Sequence, residues 1–595
     1  MNQILVIGGA SFDVLHLRER TVATAGGAGM YTAMAARRCG AQAVLWGPRP
    51  EPCPERLRPA ASHLSEWLGP AVSPAELPQF EISYRQGTTE YLQASLDIET
   101  ALSPAMLPSD LSKHDLVHVT PLGDAPAQLS FIQACRQRGA RQISAGTGLF
   151  IAGEKPAIVR TIMEESDIFF MNELEAKAVF GSLEAARTVP GKVLYVTEGP
   201  EGARIIQGAA TTSIPAVVAE EIDPTGAGDT FCGATLAYLL DKKHPIMAAR
   251  YAAALAGEMI TQVGLTALLS TDPPPGAPLD KRVNINAGQV RKVADKIATL
   301  AEVSPFSFVS PELPPSGHPQ TLDYFFAATL QQFGFWSQGD GRYHQPMIAS
   351  IDMAQRKGSD YLWQAFNRRL WQDSDFCSPE RQANFSREEM LQLFRADDGV
   401  DPMAAVDLHL QQAQQYGRDM LALQLTPQDV LHKALTAPRP LATFLDLLDQ
   451  IGGYKEDPLR KKSNLLAVIL NQRPENFLPF GGDEQVAPVI DYHLMRSCLR
   501  IGLIDVIDEQ LISKLINRQV VSGAEEWAVR FAAYRAIEQI VALSGRSTGA
   551  VDWFFFGARQ RCPEMSEPQC HLCAVDPICA HSKMLFQPVL RTSFY

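Results

Sequence analysis

Residues 223–231 read DPTGAGDTF and stand directly before a helical run. Small residues at such a position let successive backbone N–H groups converge at a helix N-terminus, where the helix dipole favours an anion. Gly226, Ala227 and Gly228 therefore form a candidate anion hole for a phosphoryl group. Asp229 stands beside it, and we predict that its carboxylate takes a proton from an attacking hydroxyl group. The plainer interpretation is a glycine-rich helix entry.

The sequence around this stretch alternates short apolar runs with amphipathic segments over the first 270 residues. Five runs are rich in β-branched residues and predict strands, at positions 4–7, 116–119, 142–145, 167–171 and 193–197. Helical patterns lie between them. This alternation is typical of βαβ units, so we expect an α/β fold with a mainly parallel sheet. Residues 80–97 alternate differently and predict a small antiparallel lid.

The chain has 595 residues, which is too long for one ordinary domain. A Pro-rich segment containing TDPPPGAPLD predicts a linker at 271–282, between an N-terminal domain at 1–270 and a C-terminal domain at 283–595. Beyond residue 320 helical periodicity dominates, and we expect the second domain to be all-α.

Composition excludes several classes of protein. The net charge is −13 and the pI is near 5.5, which argues against an electrostatic nucleic-acid binder. No targeting signal and no run of eighteen apolar residues is visible, so we expect a cytoplasmic protein without a membrane span. Six of the ten cysteines are scattered, which fits a reducing compartment. The sequence gives no signal for the oligomeric state.

Other segments join the 223–231 stretch in an order known from one family. A glycine-rich turn at 26–29 opens a helix, NELE at 172–175 follows a strand, and TEGPEGA at 197–203 follows another. Together they resemble the ribokinase-like (PfkB) family of sugar and nucleoside kinases over about residues 1–270.

The resemblance implies ATP and Mg²⁺ as cofactors, with Asp229 as the catalytic base. Its motifs assign Asp13 and Gly27 to the ribose, Asn172 and Glu175 to Mg²⁺ and phosphates, and Thr197 and Gly199 to ATP. Two positions depart from the family pattern. Tyr31 stands where the family often has Asn, and residues 144–147 read SAGT where it often has an Asp. We therefore expect unusual recognition of the phosphate acceptor.

Four cysteines lie close together near the end of the sequence, at Cys562, Cys570, Cys573 and Cys579. Four thiolates with one CxxC pair can bind Zn²⁺ or a [4Fe–4S] cluster. The loop at 562–579 resembles the cluster loop of endonuclease III and adenine glycosylase, whose first gap is six residues and not seven. That resemblance implies a structural [4Fe–4S] cluster, with Zn²⁺ as the alternative.

Asp491 begins a second candidate site, in the segment PVIDYHLMR at 488–496. It is either a helix N-cap or a carboxylate that acts on a sugar, as in helix-hairpin-helix DNA glycosylases. His493 and Arg496 are either substrate contacts or part of a solvated face. The hairpin that grips DNA is missing before Asp491, and no lyase-type lysine follows the expected glycine turn.

Segments between 283 and 595 resemble, in order, the queuosine salvage proteins, which are nucleosidases with a reduced DNA glycosylase-like helical fold. The resemblance assigns catalysis to Asp491, with Tyr492 beside it. It also departs from this chain, because the family's Asp-Tyr-Arg ends in His493 here, Ala528 replaces an expected Glu, and the cysteines are not standard. The candidate substrate contacts are Phe335, Trp336, Tyr492, His493, Arg496 and Asp552.

These patterns lead to one hypothesis, a fused nucleoside kinase and nucleosidase. The first domain would phosphorylate the 5′-hydroxyl of a modified ribonucleoside such as queuosine or another 7-deazaguanosine. The second would hydrolyse the N-glycosidic bond of the 5′-monophosphate and release the base. The alternatives are an iron–sulfur DNA repair glycosylase tethered to a sugar kinase, and a nucleotide-sensing regulatory protein with a degenerate kinase.

Overall fold

A computed structural model of the chain divides into two compact units, Met1–Pro278 and Leu279–Tyr595. The structure describes residues 2–18, 20–85, 88–95, 97–189, 191–208, 210–482 and 484–595. The boundary between the units lies inside the Pro-rich segment at 271–282. No helix in the described part of the chain is both long and apolar enough to span a membrane.

The N-terminal unit alternates strands and helices along the sequence. Its strands are β1 (Gln3–Ile7), β2 (Ser11–His16), β3 (Thr21–Gly26), β4 (Gln42–Trp46), β5 (Arg49–Pro50), β6 (Glu66–Leu68), β7 (Ala71–Val72), β8 (Gln79–Arg85), β9 (Thr88–Ser95), β10 (Leu116–Val119), β11 (Ile143–Gly146), β12 (Ile168–Asn172), β13 (Val193–Thr197), β14 (Ala203–Gln207) and β15 (Ala210–Ile214). Its helices are α1 (Ala28–Arg38), α2 (Arg58–His63), α3 (Asp97–Thr100), α4 (Ala125–Gln137), α5 (Leu149–Glu154), α6 (Pro156–Glu165), α7 (Glu173–Phe180), α8 (Ala227–Leu240) and α9 (Pro245–Met259).

Nine strands form one sheet in the order β15-β14-β13-β12-β11-β10-β1-β4-β6. All neighbours from β13 to β6 pair in parallel, and β14 pairs antiparallel with both β13 and β15. Ile4 and Val6 of β1 pack into one apolar core, and Leu5 and Ile7 pack into another on the opposite face. Burial on both faces explains why the strands read as continuous apolar runs. The predicted α/β fold with a mainly parallel sheet is confirmed.

A smaller sheet, β3-β2-β8-β9, corresponds to the predicted lid. Its strands β8 and β9 pair antiparallel, and β8 pairs in parallel with β2. Positions 86, 87 and 96 of the predicted lid segment lie outside the described residues.

The C-terminal unit is mainly helical, as predicted. Its helices are α10 (Ala287–Thr299), α11 (Thr321–Thr329), α12 (Ser359–Gln372), α13 (Pro379–Ala383), α14 (Arg387–Phe394), α15 (Val406–Ala422), α16 (Pro427–Leu435), α17 (Pro440–Leu448), α18 (Lys461–Gln472), α19 (Tyr492–Ile501), α20 (Glu509–Ile516), α21 (Gly523–Ser544) and α22 (Thr548–Gly557). Its strands are β16 (Val283–Ile285), β17 (Trp336–Gly339), β18 (Arg342–Pro346), β19 (Ile348–Ile351), β20 (Ala354–Lys357) and β21 (Ile504–Val506).

These strands correct the expectation of an all-α domain. They pair as β16–β21, β17–β18 and β19–β20, all antiparallel. Strands of three to five residues are too short to give a clear alternating pattern. One signal was present, because Asp340-Gly341 joins β17 to β18 with positive φ at both residues, as a tight hairpin turn requires.

Candidate active sites

The C-terminal unit contains a cavity of about 520 Å³, a volume typical of small-molecule sites. Its wall includes the ends of several helices that are distant in the sequence. Five of the predicted substrate or catalytic residues line it: Phe335, Asp491, Tyr492, His493 and Asp552.

Trp336 and Arg496, also predicted as substrate contacts, are not among the residues that line this cavity. Trp336 stacks on Tyr343 with ring centroids 5.3 Å apart. Arg496 donates a hydrogen bond from Nη2 to His493 Nδ1 at 3.0 Å, so it helps to orient a residue that lines the cavity. The solvated-face interpretation is wrong, because His493 is 4% exposed and Arg496 is 1% exposed.

Asp491 is the N-cap of α19, and its Oδ1 accepts a hydrogen bond from the Leu494 backbone N–H at 2.9 Å. Burial raises the pKa of this carboxyl group, while the charge of Lys461 lowers it. Lys461 is itself buried and lines the cavity, and burial lowers its pKa to about 8. Sequence reasoning missed Lys461 because only the fold brings it close to Asp491, from thirty positions upstream. The carboxyl group of Asp491 therefore caps α19 and also lies in the wall of the cavity.

Asp552 lies in α22 and is buried. Its Oδ2 accepts a hydrogen bond from the Val489 backbone N–H at 2.9 Å, and its Oδ1 has no hydrogen-bond partner among the residues that the structure describes. Burial, with a smaller contribution from the charge of Asp491, raises the pKa of Asp552 to about 8. The cavity wall therefore carries two carboxyl groups in different environments.

Flat side chains form another part of the wall. Trp553 stacks on Phe306, with ring centroids 4.1 Å apart and an interplanar angle of 7°. The guanidinium of Arg559 lies 3.9 Å from the ring centroid of Phe556. Sequence reasoning missed these residues, although Trp553 directly follows the candidate Asp552. Such rings suit a planar heterocycle.

The four clustered cysteines are free and half-buried in the C-terminal unit. Cys562, Cys570 and Cys573 all act electrostatically on Cys579, so the four thiols lie in one neighbourhood. Arg500 connects this neighbourhood to α19, because its Nη1 donates to Cys562 Sγ at 3.2 Å. The thiols and these donors fit a metal cluster, since hydrogen bonds to sulfur accompany such sites.

A second set of donors overlaps this loop. Ligand atoms of Cys570, Asp576 and His581 lie within 4.8 Å of one another, and His581 Nε2 is 2.7 Å from Asp576 Oδ1. Asp576 and His581 were not predicted. Nitrogen, oxygen and sulfur together suit Zn²⁺. The loop therefore carries one donor set that suits an iron–sulfur cluster and a second, overlapping set that suits Zn²⁺.

In the N-terminal unit, α8 begins directly after Gly226, which has φ +78°. A side chain at Gly226 would collide with the ring of Tyr31, 2.5 Å from its Cβ position, whereas a Cβ at Gly228 would meet no described atom within 4 Å. Gly226 is therefore required by the backbone and by packing. Gly228 instead borders open space at the positive end of the helix dipole, where an anion fits.

Asp229 is the third residue of α8, and burial raises its pKa to about 6. Its charge also acts on Glu175, whose pKa is raised to about 7, first by burial and then by Asp229. At neutral pH Asp229 is mainly ionised, so it can accept a proton from a hydroxyl group placed beside it.

Asn172 and Glu175 form a capping box at the start of α7. Asn172 Oδ1 accepts from the Glu175 N–H at 2.9 Å, and Glu175 Oε2 accepts from the Asn172 N–H at 2.8 Å. Asn172 ends β12 and pairs in register with Thr197, which ends β13, two residues before Gly199. These residues lie at the carboxyl edge of the parallel sheet, where α/β folds bind ligands.

Asp13 lies in β2 and accepts a hydrogen bond from Ser11 Oγ at 2.6 Å. Burial raises its pKa to about 6. The backbone beside it is closely packed, since a side chain at Gly26 would collide with the Asp13 carboxyl group and Gly27 has φ +97°. The lid contributes Tyr84, whose hydroxyl is 2.7 Å from Thr225 Oγ1.

Residues 91–272 match the pfkB family of carbohydrate kinases. The N-terminal unit is a PfkB ribokinase-like kinase domain. The cytidine kinase of Thermococcus kodakarensis is 24% identical to this chain over 246 residues, which cover 40% of the chain and 88% of that protein. The ribokinase of Bacillus subtilis is 38% identical over 96 residues, or 16% of the chain and 32% of that protein.

Solved structures are also similar to the chain. The ribokinase of Cryptococcus neoformans in complex with ADP has a TM-score of 0.39 and 17% identity, covering 45% of this chain and 96% of that one. The nucleoside kinase of Burkholderia thailandensis in complex with ADP-inosine has a TM-score of 0.36 and 21% identity, covering 46% of this chain and 92% of that one.

Kinases of this family use ATP and Mg²⁺, and the kinase domain has groups that fit them. The carboxyl groups of Asp13, Glu175 and Asp229 all have pKa values raised mainly by burial, and a divalent cation bound beside them would favour their ionised forms. When bound, Mg²⁺ would neutralise charge on the transferring phosphoryl group. Glu175, fixed by Asn172, is the side chain that would hold it.

Proposed function

We propose that the kinase domain transfers the γ-phosphoryl group of ATP to the 5′-hydroxyl of a nucleoside, and that the C-terminal unit then hydrolyses the N-glycosidic bond of the 5′-monophosphate. The observation that carries this proposal is the pairing, in one chain, of a PfkB kinase domain with a unit whose cavity is lined by Asp491 and Asp552. Among nucleosides we favour queuosine or a related 7-deazaguanosine.

In the kinase step, the Asp229 carboxylate accepts the proton of the attacking 5′-hydroxyl group. The backbone N–H groups at Gly226, Ala227 and Gly228 stabilise negative charge on the transferring phosphoryl group. Asp13 and Gly27 bind the ribose. One matched relative supports a nucleoside acceptor, since it is named a cytidine kinase.

In the hydrolytic step, Asp491 acts at the anomeric carbon, either as nucleophile or as base for water, with Tyr492 beside it. The cavity supports a small substrate, because about 520 Å³ suits one nucleotide. Trp553 and Phe335 supply flat surfaces for the base. Lys357, whose Nζ is 2.5 Å from Glu564 Oε2, and Arg559 are the cations in the wall that fit a phosphate group.

We further propose that Cys562, Cys570, Cys573 and Cys579 hold a [4Fe–4S] cluster, with Zn²⁺ on Cys570, Asp576 and His581 as the alternative. The cluster would stabilise the loop against α19. An iron and inorganic sulfide assay, together with absorbance near 400 nm, distinguishes the two, since Zn²⁺ gives neither signal.

The function is tested by incubating the purified protein with queuosine in the presence and absence of Mg·ATP. We expect queuosine 5′-monophosphate and free queuine only when Mg·ATP is present. Release of queuine from queuosine without ATP would contradict the order of the steps. A parallel series with cytidine, adenosine, inosine and guanosine tests the choice of nucleoside.

Two variants separate the steps. Asp229→Asn should abolish phosphorylation yet release queuine from supplied monophosphate, and Asp491→Asn should let the monophosphate accumulate. Asp508→Asn is the matched control for Asp491→Asn, because Asp508 also caps a helix of the C-terminal unit, accepting from the Leu511 N–H at 2.7 Å. Monophosphate that still disappears with Asp491→Asn would refute the assignment of Asp491.

A further inference from the structure

Asp552 has a buried oxygen atom that the fold leaves without a partner. Val489 N–H satisfies Oδ2, but Oδ1 has no hydrogen-bond partner in the described part of the chain. A buried polar atom without a partner destabilises the fold, and a molecule in the cavity that Asp552 lines would supply that partner. Asp552 is therefore a ligand-facing group rather than a structural one.

The two carboxyl groups of this cavity differ in what neutralises them. Asp491 has Lys461 and Arg496 near it and accepts backbone hydrogen bonds at the start of a helix. Asp552 has no such cation among the groups that act on it. From the neighbouring α19 segment the charge of Asp491 acts on Asp552 and opposes its ionisation, while the charge of Asp552 in turn raises the pKa of the buried Cys498 thiol, which stays neutral.

A pair of this kind divides the acid and base roles of a hydrolase. Burial raises the pKa of both carboxyl groups, but only at Asp491 do the charges of Lys461 and Arg496 oppose that rise, whereas the pKa of Asp552 rises to about 8, so Asp552 is the group that keeps its proton near neutral pH. A departing nucleobase needs a proton, because it otherwise leaves as an unstable anion. In the proposed mechanism Asp491 acts at the anomeric carbon as nucleophile or base. A different group in the cavity wall is therefore needed to donate the proton to the departing base.

We propose that Asp552 is the general acid that protonates the departing base, an inference that rests on the nucleosidase function proposed above. As the C1′–N bond breaks, its electron pair leaves with the base, and the Asp552 proton moves to a ring nitrogen of that base. For attack by water, the water oxygen bonds to C1′ and its proton goes to Asp491. Transfer of that proton through solvent to Asp552 restores both groups.

The test measures queuine release from queuosine 5′-monophosphate between pH 5 and pH 10. For the wild-type protein we expect kcat to fall as the pH rises above about 8, since Asp552 then loses its proton. Asp552→Asn keeps the shape and an acceptor for Val489 N–H but has no acidic proton. We expect the kcat of this variant to be at least about 100-fold lower than that of the wild-type protein, and its KM to change by less than about fivefold. We also expect its rate not to decline at alkaline pH.

Three results would overturn the inference. One is an Asp552→Asn protein whose kcat is within threefold of wild type, and another is a variant that is slow but keeps the same alkaline decline. A third is a wild-type rate that stays constant up to pH 10. Because this measurement uses only the wild-type protein, it tests the inference even if the Asp552→Asn variant does not fold. If the wild-type protein releases no queuine at any pH, the proposed nucleosidase function fails, and this inference fails with it.

Discussion

Asp229 is a residue at which stability and catalysis conflict. Its ordinary pKa of 3.8 rises to about 6 in the folded protein, so folding favours the protonated form. The stability that this group contributes is complete below about pH 4 and is lost as the pH rises through 6. At pH 8 the ionised carboxylate therefore destabilises the fold, although the ionised state is the one that the proposed role of Asp229 as a base requires.

The first prediction concerns Asp229→Asn. At pH 8 we expect phosphorylation to fall at least about 100-fold, while the melting temperature of the kinase domain rises by about 2–4 °C because a desolvated charge is removed. The rise should shrink as the pH falls towards 4. Differential scanning calorimetry measures it, with Glu220→Gln, an exposed acid, as the control. A lower melting temperature for Asp229→Asn would show that the carboxylate stabilises the fold.

The second prediction is the pH dependence of the kinase reaction. We expect kcat/KM for the nucleoside to be constant above about pH 7 and to fall about tenfold per pH unit below about pH 6, as Asp229 takes up its proton. A coupled assay for ADP at saturating Mg·ATP measures the profile. A rate that stays unchanged down to pH 4.5 would exclude Asp229 as the base.

At the scale of the element, the two glycines at the start of α8 have different predicted roles, which substitutions can distinguish. Gly226→Ala should lower both stability, by about 1–3 kcal/mol, and activity, because its positive φ and the Tyr31 ring exclude a side chain. Gly228→Ala should keep or raise the melting temperature, since alanine favours a helix, yet should impair phosphorylation by filling the anion site. Thermal unfolding and ADP formation, measured on both variants, test this. Full activity in Gly228→Ala would move the anion site elsewhere.

The lid provides a further prediction for an element. Tyr84 of β8 lies 2.7 Å from Thr225, the residue before Gly226, and so connects the lid to the glycine turn. We expect Tyr84→Phe and Thr225→Val each to raise KM for the nucleoside severalfold, and the double variant to add little, because both remove one hydrogen bond. Additive effects in this double-mutant cycle would mean that the two hydroxyls act independently.

The elements that sequence predicted best are those with local signals. Strand β13 was predicted at its observed bounds, and β10 likewise, because a parallel strand buried on both faces is a short apolar run between turns. The residues that reach the cavity were harder to predict. The order of residues places Trp336 beside Phe335, but adjacent residues in extended chain face opposite ways, and only Phe335 reaches the cavity.

The candidate site was predictable where one motif holds all its parts. The anion hole and Asp229 lie within four residues, so their grouping needs no tertiary information. Lys461 of α18 and Trp553 of α22 line the same cavity as Asp491 at the start of α19, and no spacing in the sequence encodes that meeting. The burial of polar side chains cannot be predicted from the sequence pattern either, so a solvated face was one of the two interpretations of His493 and Arg496.

For the whole molecule, the two compact units predict separable effects. Cys573→Ser should remove the iron and sulfide of the proposed cluster and lower the proposed release of queuine at least about tenfold, because Arg500 links the cysteine loop to the helix that Asp491 begins. Phosphorylation should change less than twofold, since the loop belongs to the other unit. Metal analysis and the two activity assays measure this, with Cys53→Ser as the control. Equal loss of both activities would show that the units depend on one another.

Trp553, stacked on Phe306, provides an intrinsic fluorescence probe in the wall of the cavity. An indole ring that shares a wall with a bound heterocycle changes its emission when that heterocycle arrives, so nucleotide titrations can be followed without labels. The chain has seven tryptophans, and Trp553→Phe identifies which part of the signal comes from this wall. Affinity for the monophosphate, the nucleoside and the free base can then be compared in one cuvette, with turnover prevented by Asp491→Asn.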